Sequence, residues 1–124
     1  DFPDAALRGL FLLAVLHHVP RPAAFLAEAQ RCLRPGGRLV LIDAHNSLPQ
    51  RLLCRVLDHY EYFDDTAPDW ANEERGRMTR ANLATAWMIF VRDRARFERL
   101  FTSARFLDET ERTLSDALHG VPSR

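Results

Sequence analysis

The most regular pattern of apolar and polar positions lies between Phe11 and Asn46. It opens with a short apolar run, Phe11–Leu16, that stands between Gly9 and a pair of histidines. Such a run is too short to span a membrane and is typical of a strand that is buried on both faces. We therefore predict a strand over about Gly9–Leu16.

A helix and a second strand are predicted after this run. Pro22 is compatible with the first turn of a helix, and apolar residues then recur at helical spacing over Ala23–Leu33. The segment Arg34–Gly37 reads Arg-Pro-Gly-Gly and predicts a turn that ends the helix. The apolar run in Leu39–Asp43 predicts the next strand. A strand, a crossover helix and a strand of these lengths predict one right-handed βαβ unit with parallel strands.

The middle of the chain has a weaker pattern. Ser47 is placed to cap an amphipathic helix over Leu48–Tyr60. The segment Asp58–Arg80 is polar and is interrupted by Pro68 and Gly76, which indicates a long irregular stretch. Its aromatic residues make a fully solvated loop unfavourable. Two interpretations stay open: a substrate cap over the strand ends, or an excursion packed on the outside of the domain.

Helical periodicity returns in the last third of the chain. Over Ala81–Phe101 it favours a helix that is broken near Arg92, with a short strand over Trp87–Val91 as the alternative. The segment Ala104–Arg112 predicts a strand, and Leu114–Leu118 begins a last strand or helix.

Composition narrows the function classes. The chain has 124 residues, 47% hydrophobic and 27% charged, with a net charge of zero, which is ordinary for one globular domain. No basic stripe or block is present, so neither nucleic acid nor a membrane surface is a predicted partner. Cys32 and Cys54 lie in apolar helical patterns and are predicted to be reduced, buried thiols. We expect a cytoplasmic protein.

The polar residues that follow the two strands are the candidate site. In open parallel sheets, ligands bind outside the carboxyl ends of the strands. This rule selects residues at or just after the carboxyl ends of the two predicted strands: Ala14, Val15, His17, His18, Asp43, Ala44, His45 and Asn46. His18 and His45 are weak candidates for a general base, since the pKa of histidine lies near neutrality. The spacing of His and Asp matches no metal motif, and no metal site is predicted.

These segments also resemble a known family. The run Leu16–Val19, Leu-His-His-Val, with the helix, the Arg-Pro-Gly-Gly turn and the strand after it, resembles the second half of a class I S-adenosylmethionine-dependent methyltransferase domain of the small-molecule, type 11-like kind. Phe2–Ala5 is similar to the loop before that family's fourth strand. At Arg8 the chain departs from the family, which usually has an Asp there.

The resemblance implies a fold and a chemistry. The fold is a Rossmann-like α/β methyltransferase fold of which only the later strands and helices are present. The function is methyl transfer from S-adenosylmethionine to a small-molecule acceptor. Residues implied at the cofactor are Ala14, Val15, His17 and His18; those implied at the acceptor are Asp43, His45, Asn46, Tyr60 and Trp70. Because the sulfonium methyl is already activated, His18 is a better candidate for lining the cofactor pocket than for acid–base chemistry.

The glycine-rich loop that holds the cofactor in this family is missing from the sequence. The chain has five glycines, and they form no GxGxxG spacing. We therefore expect residues 1–124 to be one partial domain, with a βαβ core (1–46), a helix and possible cap (47–80) and a C-terminal helix with edge strands (81–124). This fragment is expected to be inactive alone and to self-associate through an open sheet edge.

Two alternatives are compatible with the sequence. One is a non-catalytic interaction module derived from a methyltransferase. The other is a different Rossmann-like enzyme, such as a nicotinamide-dependent reductase. A reductase of the Tyr-x-x-x-Lys type is excluded, because the sequence contains no lysine.

Overall fold

The computed structural model describes residues 2–44, 51, 52, 56, 61–72 and 81–102. The first unit consists, in chain order, of β1 (Leu7–Leu13), a 3-10 turn (Leu16–His18), α1 (Pro22–Cys32) and β2 (Leu33–Ile42). β1 pairs with β2 in parallel, with Leu10 opposite Leu39 and Leu13 opposite Ile42. The predicted strand–helix–strand unit with parallel strands is therefore confirmed.

β1 ends earlier than the apolar run predicts. It stops at Leu13, and Ala14 has a φ of 51°, which turns the chain out of the ladder. The N–H of Leu16 donates to the Asp43 carboxylate at 2.9 Å instead of to a neighbouring strand. The prediction of a strand through Leu16 is therefore wrong at its end, because a side-chain acceptor takes over from the backbone.

One face of the β1–β2 sheet is open. Alternate residues of the two strands share this face, and their exposed fractions are 63% for Phe11, 59% for Leu13, 45% for Val40 and 53% for Ile42. We call these four residues the open face. Leu12 points to the opposite face and is 5% exposed. The prediction that β1 is buried on both faces is wrong, since the described core packs against one face only.

The Arg-Pro-Gly-Gly segment forms a bulge in β2. Leu7 lies opposite Leu33, but Gly9 lies opposite Arg38, so residues 34–37 leave the ladder. Gly36 has a φ of 77°, a conformation that glycine adopts without strain. A Cβ on Gly37 would lie 2.9 Å from the carbonyl oxygen of Arg34. The predicted turn between helix and strand is therefore wrong in kind: α1 ends at Cys32, β2 begins at Leu33, and residues 34–37 are a bulge within β2.

The second part of the described chain is a minimal sheet followed by helical turns. The elements are β3 (Glu61–Tyr62), β4 (Ala81–Asn82), α2 (Thr85–Trp87), a π-helical turn (Met88–Arg92) and α3 (Arg94–Leu100). β3 and β4 pair in parallel. The predicted helix is confirmed from Thr85 onward, including its break near Arg92. The alternative strand over Trp87–Val91 is wrong, as is a helix at residues 81–82.

Several predicted elements lie largely or wholly outside the described residues. Residues 51, 52 and 56 of the predicted helix Leu48–Tyr60 are helical. The predicted strand Ala104–Arg112 and the segment Leu114–Leu118 lie outside the described residues, as does Cys54. Cys32 is buried and forms no disulfide. Among the residues that the structure describes, no helix is long and apolar enough to cross a membrane.

The hydrophobic core joins the two parts of the described chain. Its buried members come from the 3-10 turn, α1, the segment before β4 and the helical turns: Leu16, Leu26, Trp70, Ala84, Ala86, Met88, Ile89, Phe97 and Phe101. Leu39 and Leu41 of β2 pack against this cluster. Leu16 is fully buried, so the turn after β1 is held in the core by its first residue.

Candidate functional site

The carboxyl ends of β1 and β2 lie at the same end of the sheet, because the strands are parallel and Leu13 pairs with Ile42. The residues after these ends, 14–18 and 43–44, form what we call the rim. The N–H of Ala14 donates to the carbonyl oxygen of Ile42 at 2.7 Å, which ties the two chain segments together where the rim begins. The structure therefore brings together six of the predicted candidates: Ala14, Val15, His17, His18, Asp43 and Ala44.

Asp43 is the buried hub of the rim. Its side chain is 1% exposed. One carboxylate oxygen, Oδ2, accepts the N–H of Leu16 at 2.9 Å. The other, Oδ1, accepts the N–H of Ala44 at 2.7 Å and lies in close hydrogen-bonding contact with Nδ1 of His17. Asp43 thus links the residue after β2 to the turn after β1.

The electrostatics of Asp43 favour the ionised form. Burial raises the pKa of this carboxyl, but the hydrogen bonds from His17, Ala44 and Leu16 outweigh burial and leave the pKa below its ordinary value. An ionised carboxylate can only accept hydrogen bonds, and each of the three contacts meets that requirement if Nδ1 of His17 carries a proton.

Asn72 holds the same turn from another direction. Its amide Nδ2 donates to the carbonyl oxygens of His17 at 3.0 Å and of Val19 at 2.7 Å, and its backbone N–H donates to the carbonyl oxygen of Pro20 at 3.0 Å. The side chain is buried, and its Oδ1 lies 3.5 Å from the hydroxyl of Thr85. Sequence reasoning did not select Asn72, because nothing near it in the chain indicates a partner 53 to 55 residues away.

The two histidines take different places. His17 is 3% exposed, whereas His18 is half-buried. Their ring centroids are 4.3 Å apart with an interplanar angle of 41°. Both lie in the 3-10 turn, so the alternation of a strand does not account for their different burial. His18 is the imidazole that a ligand at the rim reaches more readily.

Ala14 and Val15 of the rim are exposed to solvent. Ala14 is exposed with a positive φ of 51°, and Val15 is 44% exposed. Non-glycine residues in this backbone region are uncommon and concentrate at functional sites. The backbone of this segment and the Val15 side chain are therefore accessible to a ligand above the strand ends.

The predicted acceptor residues are distributed differently. His45, Asn46 and Tyr60 lie outside the described residues. The Asp43 carboxylate is engaged by protein donors, as shown above. Trp70 is 2% exposed and belongs to the core. The structure therefore gives Asp43 and Trp70 roles within the protein, and acceptor binding at these positions stays a prediction.

Trp70 is anchored by a charged cluster. Its Nε1–H donates to Oδ2 of Asp93 at 2.9 Å, and the guanidinium of Arg96 lies 4.6 Å from its ring centroid. Arg92 also donates to Asp93, at 2.7 Å through Nη2. The hydrogen bond from Arg92 lowers the pKa of Asp93, and that from Trp70 adds to this against the opposing effect of partial burial.

Metal binding is not indicated in the part of the chain that the structure describes. There, no group of three or more His, Cys, Asp or Glu residues is arranged to hold a metal ion. The His17–Asp43 pair is accounted for as a hydrogen-bonded link between strand ends.

The comparison with protein families decides which fold family the first unit resembles. Residues 1–41 match the family model described as a methyltransferase domain. The match covers β1, the rim turn and α1, and it reaches into the last residues of β2. The resemblance of this unit to a class I S-adenosylmethionine-dependent methyltransferase domain is therefore confirmed over these residues. No curated protein and no solved structure matches the chain.

Proposed function

We propose that this chain takes part in methyl transfer from S-adenosylmethionine to a small-molecule acceptor, with the rim forming part of the donor site. The observation that carries the proposal is that the residues matching the methyltransferase model are also those that form the parallel pair of strands below the rim. The matching residues 1–41 form two parallel strands whose carboxyl ends open on one rim. In open parallel sheets this is where ligands bind.

The rim fits part of such a donor. Val15 offers exposed apolar surface, His18 offers a half-buried aromatic ring, and the backbone at Ala14 is accessible beside them. A mostly apolar surface with a few polar groups is typical of sites for small cofactors. When bound, S-adenosylmethionine supplies an activated methyl group, so the protein has mainly to bind and orient the reactants.

The rest of the donor site is not supplied by these 124 residues. Their five glycines form no glycine-rich loop of the family type. We propose that this loop comes from another polypeptide segment and that the 124 residues alone are inactive. The acceptor would be bound by His45, Asn46 and Tyr60, as the resemblance implies. A cytoplasmic location belongs to the same proposal.

Calorimetry tests directly whether the donor site is divided between these 124 residues and another polypeptide segment. We expect no resolvable binding when the 124-residue chain is titrated with S-adenosylmethionine, and micromolar binding when these residues are part of a longer polypeptide that also contains a glycine-rich loop. Micromolar affinity of the 124 residues alone would overturn the division of the site. A longer polypeptide that contains a glycine-rich loop and yet binds no donor would overturn methyl transfer itself.

A second candidate function is a non-catalytic interaction module. The open face favours it, because four neighbouring apolar side chains that are 45–63% exposed are unusual unless a partner covers them. Purification of the full chain from its natural source distinguishes the two functions. A stoichiometric partner bound without any methyltransferase activity of the complex supports the module, and donor-dependent methylation supports the enzyme.

A further inference from the structure

The turn between β1 and α1 is held by two side chains from distant parts of the chain. Asp43 follows β2, and Asn72 lies in the segment after β3. We call these two residues the clamp. The side chains of both are buried. Their hydrogen bonds to Leu16, His17 and Val19 of the turn are 2.7 to 3.0 Å long, and the contact between Asp43 and the His17 ring is shorter.

The two clamp residues act on different groups of the turn. Asp43 accepts a hydrogen bond from the backbone N–H of Leu16 and contacts Nδ1 of the His17 ring. Asn72 binds the carbonyl oxygens of His17 and Val19. Donors and acceptors of the turn are therefore satisfied by separate partners, so the loss of one clamp residue leaves buried polar groups unpaired.

We propose that Asp43 and Asn72 are positioning residues that hold the turn Leu16–Val19 from two directions and thereby fix the His18 ring on the rim. His18 is not itself bonded by the clamp. Its backbone N–H donates to the carbonyl oxygen of Val15 at 3.0 Å, and its ring lies against the ring of His17. Asp43 holds that ring, and Asn72 holds the backbone carbonyl of His17. Any contribution of the clamp to methyl transfer rests on the proposed function. The effect of the clamp on the position of the turn does not rest on it.

The clamp also fixes the proton on one nitrogen of His17. The Asp43 oxygens accept hydrogen bonds from Leu16 and Ala44, and an ionised carboxylate has no proton to donate. Nδ1 of His17 therefore donates to Asp43 and carries the proton. In the neutral ring, Nε2 is then the acceptor nitrogen.

Amide hydrogen exchange of the 124-residue chain, read by NMR, tests the clamp. Asn72→Asp keeps the shape of the side chain but replaces its donor by an acceptor. Because the carbonyl oxygens of the turn lose their donor, we expect exchange of the His18 and Val19 amides to become about tenfold faster. The His18 ring signals are expected to shift as well.

Asn82→Asp is the matched control. Asn82 is also buried and also donates through Nδ2, but to the carbonyl oxygen of Asp64 and not to a carbonyl oxygen of the turn. We expect this variant to leave exchange at His18 and Val19 within about twofold of the wild type. Unchanged exchange in Asn72→Asp, or equal acceleration in both variants, would overturn the proposal.

A measurement on the wild type keeps the proposal testable if Asn72→Asp does not fold. Long-range ¹H–¹⁵N correlation of the imidazoles at pH 8 is expected to show His17 protonated at Nδ1. A His17 ring that is protonated only at Nε2 contradicts the clamp. Asn72→Ala, which introduces no buried charge, repeats the exchange experiment.

The affinity for S-adenosylmethionine tests whether the clamp serves the proposed donor site, independently of whether the clamp holds the turn. In the longer polypeptide that binds S-adenosylmethionine, we expect Asn72→Asp to raise Kd about tenfold and Asn82→Asp to change it less than about twofold. An unchanged Kd in Asn72→Asp would show that the clamp does not serve the donor site. If no polypeptide binds the donor, methyl transfer fails while the exchange data still decide the clamp.

Discussion

At the residue scale, the Asp43 carboxylate accepts the backbone N–H of Leu16, which lies beyond the end of β1 and bonds no neighbouring strand. It is almost fully buried, yet it is ionised because three hydrogen-bond donors converge on it. A buried carboxylate with such partners stabilises the fold only while it stays ionised. The stability of the rim is therefore linked to pH.

Acid is expected to destabilise the protein partly through Asp43. The folded-state pKa of this group is lowered, so its contribution is complete above the unfolded value, about 3.9 for Asp, and is lost as the pH falls through the folded-state pKa. We predict that Asp43→Asn lowers the free energy of unfolding at pH 7 by about 1–3 kcal/mol. The difference between variant and wild type should shrink below pH 4 in urea titrations.

Asp4→Asn is the control for this experiment, because the Asp4 side chain is 79% exposed. It should change stability little at either pH. A wild-type protein and an Asp43→Asn variant with the same acid dependence would contradict the assignment of Asp43.

Gly37 lies where a Cβ atom would be too close to neighbouring backbone atoms. A Cβ there would lie 2.9 Å from the Arg34 carbonyl oxygen and 3.3 Å from that of Arg8, which are backbone atoms that cannot move away cheaply. We predict that Gly37→Ala lowers the free energy of unfolding by about 1–3 kcal/mol. Gly9→Ala is the control, since its Cβ would meet only the Arg38 carbonyl oxygen, at an ordinary 3.6 Å. Equal losses in the two variants, measured by urea unfolding, would show that the close approach is not the cause.

At the element scale, the helical turns after β4 are tied to the preceding irregular segment by Trp70. The indole N–H reaches Asp93, which stands just before α3, and Arg96 of α3 lies over the indole ring. The Asp93 carboxylate therefore binds Trp70 and Arg92, although its position in the sequence is that of a helix cap. This contact joins residues 61–72 to α3.

Removal of the Trp70 hydrogen bond should weaken this junction. Trp70→Phe keeps an aromatic ring but leaves the Asp93 carboxylate without one of its donors, and we predict a loss of about 1–3 kcal/mol in the free energy of unfolding. Trp87→Phe makes the same chemical change at a half-buried position in α2. It should cost less, and a larger cost at Trp87 in chemical denaturation would contradict the role assigned to Trp70.

At the scale of the whole molecule, the open face is the main departure from an ordinary globular surface. The four residues Phe11, Leu13, Val40 and Ile42 lie side by side on two paired strands. Exposed apolar patches on strands promote association. We therefore propose that copies of the chain associate through this face when nothing else covers it.

Light scattering coupled to size exclusion tests this association. The double variant Phe11→Thr/Leu13→Thr introduces β-branched side chains, which suit a strand, and removes the exposed apolar side chains that β1 contributes to the open face. We predict that it shifts the protein towards monomer relative to the wild type at the same concentration. Leu100→Thr, at an exposed position on α3, should not. A wild-type chain that is monomeric at micromolar concentration would contradict the proposal.

Local signals in the sequence determined the βαβ unit. The apolar run, the helical spacing and the Arg-Pro-Gly-Gly turn each act over a few residues, so they predict β1, α1 and β2 without knowledge of the rest of the chain. Parallel pairing then followed from the length of the connection, and it placed both strand ends on one rim. Ala14, Val15, His17, His18 and Asp43 were selected by that argument.

Tertiary structure decided what those residues do. The sequence could not show that Asp43 would face inward to His17, that Asn72 would clamp the turn, or that one face of β1 would stay open. Each depends on which surfaces meet across tens of residues, and the energy of burial and hydrogen bonding is set by that meeting rather than by neighbours in the chain. The sequence by itself determined the β1–α1–β2 unit and the shared rim, whereas the packing determined that His17 is buried and His18 only half-buried.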